Sequence, residues 1–177
     1  IIEEGTWIGS NVTIMEGAYI GKNCKIFPGA VISAVPQDLK FAREDTAVKI
    51  GNNVTIREFV TINRGTKAIM ETVIGDNCLL MAYVHIAHDC ILGDNVILAN
   101  AATLAGHIKI DDWAIIGGLA AVHQFVTIGA HAFISGGGMA RKDVPPFCKA
   151  GREPLAFAGV NSIGLRRRGF SNERINA

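Results

Sequence analysis

Aliphatic side chains recur every six residues through most of the chain. From Ile2 onward in steps of six, an aliphatic residue occupies twenty of the twenty-four positions up to residue 140, the exceptions being Asp38, Glu44, Ala68 and Ala140. Four residues after each of these positions the side chain is mostly small, and glycine often follows the aliphatic residue directly. One large and one small inward side chain per six residues fits neither an α-helix nor a plain alternating strand. The pattern predicts a hexapeptide-repeat parallel β-helix, an all-β fold.

Three such hexads would form one triangular coil of 18 residues, with successive coils stacked at the strand spacing of about 4.8 Å. Segments 33–48 and 63–73 leave the pattern but return in phase at Ile50 and Ile74, so we expect two loops extruded from corners of the prism. Loops on a rigid scaffold are where binding and catalytic residues tend to lie.

The regular pattern fades after Ile134. We expect the Pro145 and Pro146 pair to end the prism, because proline cannot donate to a strand ladder. This predicts a β-helix domain over residues 1–147, followed at 148–177 by a connector and the start of a C-terminal helical segment. Ser171 is the predicted N-cap of a helix that begins near Asn172. Because the chain starts at Ile1 and stops where a helix opens, we expect further elements beyond both ends.

Composition narrows the classes of function. A chain of 177 residues with 49% apolar and 19% charged residues suits one globular domain, and a net charge of +1 does not favour nucleic-acid or membrane-surface binding. No stretch reaches the roughly 18 apolar residues of a membrane span, and no secretory signal is apparent, so a cytoplasmic location is the default. Cys24, Cys78 and Cys90 share one repeat phase and are predicted to be small wall residues. With Cys148 they show no disulfide or zinc-ribbon spacing.

Most of the histidines fall at one corner of the predicted prism. Residues whose numbers leave the same remainder on division by 18 lie above one another on such a prism. The remainders are 16 for His88, 17 for His107 and 15 for His123, so three histidines on consecutive coils share a corner. The same arithmetic adds to this groove His85, Gly106 and Gln124. We predict a groove with four histidines, about 10 Å long at the strand spacing.

A cluster of imidazoles can be a metal site or an acid/base site. Zinc would need three converging neutral imidazoles at about 2.0 Å, which adjacent coils can offer. For acid/base chemistry His88 stands out because Asp89 follows it, and a carboxylate can fix the tautomer of an imidazole and stabilise its protonated form. The spacing permits this pair without establishing it, and polar corners can also be simply solvated.

Six local sequences carry a resemblance to a known family. They are VPQDLKF at 35–41, TINRGT at 61–66, HIAHDC at 85–90, ANAATLAGH at 99–107, GGLAAVHQF at 117–125 and RRGF at 167–170. In this order they resemble the UDP-N-acetylglucosamine O-acyltransferases of lipid A biosynthesis, from about Gly21 to the end of the chain. The resemblance implies a left-handed parallel β-helix, a homotrimer with sites between neighbouring prisms, and a C-terminal helical domain that is mostly lost here.

The resemblance also implies a reaction and its residues. An (R)-3-hydroxyacyl group passes from acyl carrier protein to the 3-hydroxyl of UDP-N-acetylglucosamine, with no cofactor beyond the phosphopantetheine of the carrier and no metal. His88 is then the general base, Asp89 its support, and the Gly106 N–H the donor to the thioester oxyanion. Cys90 lies on the inward phase and is expected to be wall rather than nucleophile.

Further contacts are implied for the substrates. Gln37, Asp38 and Lys40 would hold the sugar and pyrophosphate. The groove residues that would contact sugar, phosphate or acyl chain are His85, His107, His123 and Gln124. Those that would reach the nucleotide and the carrier are Asn161, Arg167 and Arg168. Gly136 occupies the stretch where the family limits acyl length, and glycine there implies a long chain. Ile163 departs from the family, which commonly has glutamate two residues after this asparagine, so that nucleotide contact does not carry over.

Three alternatives remain open on the sequence. A related enzyme of the same pathway acylates an amine on the sugar, although QDLK at 37–40 and GF at 169–170 favour the O-acyl enzyme. Zinc carbonic anhydrases with this fold bind metal through histidines of two subunits, which metal analysis of purified protein would reveal. A noncatalytic repeat scaffold is the third, and the clustered histidines argue against it.

Overall fold

The computed structural model describes residues 1–151, 166 and 169–177. Within them the chain passes in turn through three parallel sheets, which form the three sides of a triangular prism. The first sheet contains, in spatial order, β1 (Trp7–Ile8), β4 (Lys25–Ile26), β7 (Thr55–Ile56), β10 (Leu79–Leu80), β13 (Ile97–Leu98), β16 (Ile115–Ile116), β19 (Phe133–Ile134) and β21 (Lys149–Ala150). The second contains β2 (Thr13–Ile14), β5 (Val31–Ala34), β8 (Thr61–Asn63), β11 (His85–Ile86), β14 (Thr103–Leu104), β17 (Ala121–Val122) and β20 (Met139–Ala140). The third contains β3 (Ala18–Ile20), β6 (Ala47–Ile50), β9 (Glu71–Ile74), β12 (Ile91–Leu92), β15 (Lys109–Ile110) and β18 (Thr127–Ile128).

From Ile20 onward, the aliphatic residue of each hexad is buried inside the prism. Strands of neighbouring coils pair 18 positions apart, as with Leu80 and Leu98, so equivalent side chains stack into ladders. Leu80, Leu98 and Leu104 are fully buried, as are the small side chains Cys24 and Ala102 that alternate with such residues. The core is therefore one continuous apolar column along the prism axis. The predicted left-handed parallel β-helix is confirmed.

Two loops interrupt this register. Lys25 pairs with Thr55, and Thr55 pairs with Leu79, so these two coils are longer than 18 residues. Strand pairing continues to Ala34 and resumes at Ala47, because backbone pairing does not need an aliphatic side chain at every step. The first extruded loop is therefore 35–46 and the second is 64–70, both shorter than the predicted 33–48 and 63–73.

Both extruded loops leave the prism from the same edge. The first joins β5 to β6 and the second joins β8 to β9, so each connects the second sheet to the third. The turns 87–90, 105–108 and 123–126 make the same connection on the next three coils. This edge, made of the two loops and these three turns, is termed the histidine corner.

The proline pair does not end the prism, contrary to the prediction. Strand β21 follows Pro145 and Pro146 and pairs with β19. The N–H groups of Val144 and Phe147 each donate to the preceding coil at 2.9 Å, so the ladder bonds fall on residues to either side of the prolines. Paired strands reach Ala150, three residues beyond the predicted end at 147. The division into separate domains at 1–147 and 148–177 stays a prediction.

A short helix, α1 (Asn172–Asn176), lies near the end of the chain. The Ser171 side chain accepts a hydrogen bond from the Arg174 N–H at 3.3 Å, so the predicted N-cap is confirmed. Among the described residues, no helix has the length and apolar character needed to cross a bilayer.

Candidate active site

His88 and Asp89 lie at the histidine corner, in the turn between β11 and β12. Asp89 has a φ of 59°, a left-handed conformation that Asp adopts more readily than most residues. Its carboxylate folds back over the preceding residue, and Asp89 Oδ2 lies 2.8 Å from His88 Nδ1. The Asp89 side chain is fully buried and the His88 side chain is 9% exposed. With its proton on Nδ1, the neutral His88 ring keeps Nε2 as a free base.

Neighbouring threonines hold the Asp89 carboxylate and backbone. Thr66, in the second extruded loop, donates its N–H to Oδ1 at 2.9 Å and its hydroxyl to Oδ2 at 2.6 Å. The Asp89 N–H donates to Thr72 Oγ1 at 2.9 Å. Burial alone would raise the pKa of Asp89, but the hydrogen bonds from Thr66 and His88 outweigh it and the pKa is lowered. The carboxylate is therefore ionised at neutral pH.

Gly106 lies against the His88 ring, one coil further along. A Cβ at Gly106 would stand 2.6 Å from His88 Cε1 and 2.7 Å from Nε2, far inside van der Waals contact. Glycine is thus required for the ring to occupy this position. Within the part of the chain that the structure describes, the Gly106 N–H donates to no other group, while its carbonyl accepts from the Phe125 N–H at 3.3 Å. A free backbone donor therefore lies beside the imidazole.

His107 completes the buried part of the cluster. Its ring meets the His88 ring edge to face, with 5.0 Å between centroids, and stacks on Phe125 at 4.7 Å. His107 Nδ1 lies 3.7 Å from Asp89 Oδ2, too far for a hydrogen bond but close enough for charge interaction. His131, predicted to lie elsewhere, stacks with Trp113 at another corner.

The cluster has the composition of a candidate cation site. His88, Asp89 and His107 offer three ligand atoms within 4.8 Å of one another. Two ligands of a tetrahedral zinc ion with bonds of about 2.0–2.1 Å lie about 3.3 Å apart. The 2.8 Å separation of His88 Nδ1 and Asp89 Oδ2 is instead that of a direct hydrogen bond, and the same oxygen also accepts from Thr66. The geometry fits an acid/base pair better than a zinc centre.

Three other predicted groove residues lie along the same face of the prism. His85 is in β11, where its Nδ1 is 2.8 Å from Thr61 Oγ1, and burial lowers its pKa. His123 and Gln124 are exposed, in the turn two coils beyond His88. An apolar cavity of about 230 Å³ opens beside His123. Its lining consists of Thr103, Ala105, Ala121, Val122, His123, Met139, Ala140 and Arg141.

Gln37, Asp38 and Lys40 lie in the first extruded loop. The Lys40 N–H donates to Asp38 Oδ1 at 2.9 Å, which fixes a local turn. The base of this loop is two coils from His88 along the prism, or about 10 Å at the strand spacing. The structure therefore brings the loop to the same corner as the His88–Asp89 pair.

Gly136 lies at a different corner, in the turn between β19 and β20 that joins the first sheet to the second. It is exposed and lines a cavity of about 580 Å³ with Gly137 and Gly138. Met139 and Arg141 line both this cavity and the one beside His123. The two cavities therefore adjoin across the second sheet, between the histidine corner and Gly136.

The remaining predicted residues belong to the C-terminal segment. Asn161, Ile163, Arg167 and Arg168 lie outside the described residues. Their neighbour Arg166 donates from Nε to Asn172 Oδ1 at 3.0 Å.

Comparisons with known proteins identify the family. A model of bacterial transferase hexapeptide repeats matches residues 1–34 and 71–106. A model of domain 2 of UDP-N-acetylglucosamine O-acyltransferases matches residues 143–177. The crystal structure of LpxA, a UDP-N-acetylglucosamine acyltransferase from Bacteroides fragilis 9343, is 51% identical, with 99% of this chain and 69% of that chain covered and a TM-score of 0.85. This chain belongs to the UDP-N-acetylglucosamine O-acyltransferase family.

Other members of the family agree with this assignment. LpxA from Acinetobacter baumannii is 40% identical, with 97% of this chain and 69% of that chain covered and a TM-score of 0.77. An acyl-[acyl-carrier-protein]–UDP-N-acetylglucosamine O-acyltransferase from Janthinobacterium sp. (strain Marseille) is 51% identical over 147 residues, which are 82% of this chain and 56% of the relative. The chain thus spans about half the length of the curated relatives it matches.

Sequence reasoning assigned no role to Thr66 or Thr72. Thr66 belongs to the TINRGT sequence that carries the family resemblance, and it lies 23 positions before Asp89. One signal was available. The two extruded loops come after Ile32 and Ile62, and His88 comes after Ile86, which is the equivalent position on a later coil. That signal predicts a shared corner, but not which loop residue reaches Asp89.

Proposed function

We propose that the protein transfers an (R)-3-hydroxyacyl group from acyl carrier protein to the 3-hydroxyl of UDP-N-acetylglucosamine, the first step of lipid A biosynthesis. The observation that carries the proposal is the buried His88–Asp89 pair beside the free N–H of Gly106. That arrangement suits attack of a hydroxyl on a thioester. Acyl carrier protein and UDP-N-acetylglucosamine are the substrates that a relative at 51% identity is named for, while the 3-hydroxyacyl group and the 3-hydroxyl follow from the sequence resemblance.

On this proposal His88 is the general base. The hydrogen bond from Nδ1 to Asp89 leaves Nε2 to take the proton of the sugar hydroxyl as its oxygen attacks the thioester carbon. A new C–O bond forms, the C–S bond breaks as the tetrahedral intermediate collapses, and the proton passes from Nε2 to the departing thiolate. Asp89 stabilises the imidazolium in between, and general-base catalysis of this kind contributes about 10²- to 10⁴-fold.

Gly106 supplies the donor for the oxyanion. The thioester oxygen becomes negatively charged in the tetrahedral intermediate, and a preplaced N–H is worth about 3 to 4 kcal/mol in comparable sites. The Gly106 N–H has no competing acceptor among the described residues, so it is available to the substrate. Because the sugar oxygen attacks directly, no covalent enzyme intermediate is needed.

The other predicted residues take binding roles in this proposal. Lys40 supplies a cation for the pyrophosphate, with Gln37 and Asp38 on the sugar. The groove contacts to sugar, phosphate or acyl chain are His85, His107, His123 and Gln124. Contacts to nucleotide and carrier fall to Asn161, Arg167 and Arg168, while Gly136 leaves room for a long acyl chain.

The proposal includes a homotrimer, in which a neighbouring prism would complete each groove. It requires no cofactor of its own, since phosphopantetheine arrives on the acyl carrier protein. A cytoplasmic location stays a prediction from the sequence.

A transfer assay tests the proposal and separates it from acylation of an amine. Purified protein is incubated with 3-hydroxyacyl carrier protein and UDP-N-acetylglucosamine, and the product is analysed by mass spectrometry before and after mild alkali. An acylated nucleotide sugar that loses its acyl group in mild alkali is the expected ester. A parallel reaction uses a nucleotide sugar with a free amine as acceptor. An alkali-stable amide formed only with that acceptor would assign acylation of an amine instead. No product with either acceptor would contradict acyl transfer.

A further inference from the structure

Thr66 makes two hydrogen bonds to the carboxylate that supports His88. Its N–H donates to Asp89 Oδ1 at 2.9 Å and its hydroxyl to Oδ2 at 2.6 Å. Thr66 itself is only 6% exposed, so both bonds lie away from solvent. Short hydrogen bonds to an ionised carboxylate are about twice as strong as neutral ones. Thr66 alone therefore fixes the rotation of the Asp89 carboxylate about its Cβ–Cγ bond.

The orientation of that carboxylate matters because Oδ2 is shared. It accepts from the Thr66 hydroxyl at 2.6 Å and from His88 Nδ1 at 2.8 Å. A rotation of the carboxylate would change both the distance and the direction of the acceptor that His88 faces. The Thr66 hydroxyl is thus coupled to the tilt of the imidazole through a single oxygen atom.

Residues just before Thr66 also hold the base of the first extruded loop. Asn63 Nδ2 donates to the Val35 carbonyl at 3.2 Å, and the Arg64 N–H donates to the Ala34 carbonyl at 2.9 Å. The Gly65 N–H then donates to the Ala47 carbonyl, on the other side of the first loop, at 3.2 Å. Residues 63–66 therefore form a bridge of four consecutive residues from the loop that carries Gln37, Asp38 and Lys40 to Asp89.

We propose that Thr66 is a positioning residue for acyl transfer, acting through Asp89 on His88, and that the bridge 63–66 keeps this pair in register with the first extruded loop. The inference rests on the proposed function. Thr66 does not touch the reacting atoms, so its loss should change the rate of the chemical step and leave sugar binding intact. A misplacement of about 1 Å in a catalytic group can lower a rate about 100-fold.

The test compares Thr66→Val, which removes the hydroxyl but keeps the shape, with Thr66→Ser, which restores it. We expect the valine variant to lower kcat up to about 100-fold, with little change in KM for UDP-N-acetylglucosamine. The serine variant should recover most of the activity. Thr55→Val is the matched control, because Thr55 lies on the outer face of β7 in the first sheet.

A pH profile separates positioning from a general loss of structure. The Thr66 hydroxyl is one of the donors that lower the pKa of Asp89. Transfer needs Asp89 ionised as well as His88 neutral. Without the hydroxyl Asp89 takes up its proton at higher pH, so the most acidic limb of kcat, where Asp89 itself protonates, should move to higher pH. A purely structural role would lower the melting temperature and leave that limb in place. If the valine variant does not fold, Thr66→Ala gives the same comparison without a second methyl group beside the carboxylate.

The outcomes are distinct. Reduced kcat with a shifted low-pH limb and rescue by serine supports the inference. Wild-type kcat and an unchanged profile in a folded variant without the hydroxyl overturns it, even if the wild-type protein transfers acyl groups. Absence of transfer by the wild-type protein would instead overturn the proposed function on which the inference rests.

Discussion

Replacing Gly106 by Ala probes, with a single methyl group, the placement of His88, the proposed general base. The added Cβ would lie 2.6 Å from His88 Cε1 and 2.7 Å from Nε2. Ordinary contacts between such atoms are about 3.5–4.0 Å, so the ring has to withdraw by about 1 Å. The Gly106 N–H remains, and its φ lies outside the left-handed region, so the backbone accepts alanine. The substitution therefore moves His88 without removing the N–H that is proposed as the oxyanion donor.

The size of the effect follows from that displacement. A shift of about 1 Å in a reacting group costs about 100-fold, which corresponds to about 2.7 kcal/mol in activation free energy. We expect kcat for transfer from 3-hydroxyacyl carrier protein to fall by this factor, with a smaller change in KM for the nucleotide sugar. Steady-state assays of product formation measure kcat and KM, and thermal melting of both proteins checks that the variant is folded.

Gly118→Ala is the matched control. Its Cβ would meet nothing closer than the Asn100 carbonyl oxygen at 3.2 Å, and Gly118 lies at a different corner. A double-mutant cycle sharpens the test, because in a His88→Ala background the new methyl group meets no ring and should cost nothing further. Wild-type activity in Gly106→Ala, or losses that simply add in the double variant, would refute the placement of His88 as the base.

Three further predictions address the carboxylate, the cysteines and the acyl chain. The pKa of Asp89 is lowered in the fold, so its ionised form stabilises the protein above its unfolded pKa of about 3.9, and this contribution is lost as pH falls through the lower folded value. The free energy of unfolding in urea, measured at successively lower pH, should fall more for wild type than for Asp89→Asn. A difference between the two proteins that does not change with pH would contradict the lowered pKa. Burial raises the pKa of Cys90 to about 12, so iodoacetamide should label the exposed Cys148 in the native protein and leave Cys90 unmodified; rapid labelling of Cys90 would reopen its role as a nucleophile. Gly136→Met should shift the preference among graded acyl carrier proteins toward shorter chains, and an unchanged preference would remove Gly136 from the acyl-length assignment.

The hexad pattern predicted the prism because the information is local and repeated on every coil. Ile86, Leu104 and Val122 each specify the same inward position, so single exceptions such as Ala140 do not disturb the phase. Division by 18 likewise brought His88 and His107 to one corner, because no insertion separates their coils. Repetition made these predictions robust.

The arithmetic could not relate the extruded loops to the histidines in the same way. Lys25 pairs with Thr55 and Thr55 with Leu79, so each loop adds residues between paired strands. The contact between Thr66 and Asp89 depends on the path of a loop that has no period, and 23 positions separate the two residues. Only the folded path of the loop brings Thr66 to Asp89.

Two local features could not be decided from the sequence. The prolines after Val144 were expected to stop the ladder, but the ladder bonds fall on their neighbours. The adjacent residues His88 and Asp89 would point to opposite faces of a strand, and they meet because Asp89 adopts a left-handed conformation in the turn. The hydrophobic pattern does not specify which residues next to a proline donate to the ladder, or which single residue adopts a left-handed conformation.

The central claim, acyl transfer with His88 as general base, is tested most directly by comparing kcat/KM of wild-type protein with that of His88→Ala, each with and without a metal chelator. The account predicts a loss of about 10²- to 10⁴-fold in the variant and no effect of the chelator on wild type. Near-wild-type activity in His88→Ala, or loss of wild-type activity on chelation, would contradict it.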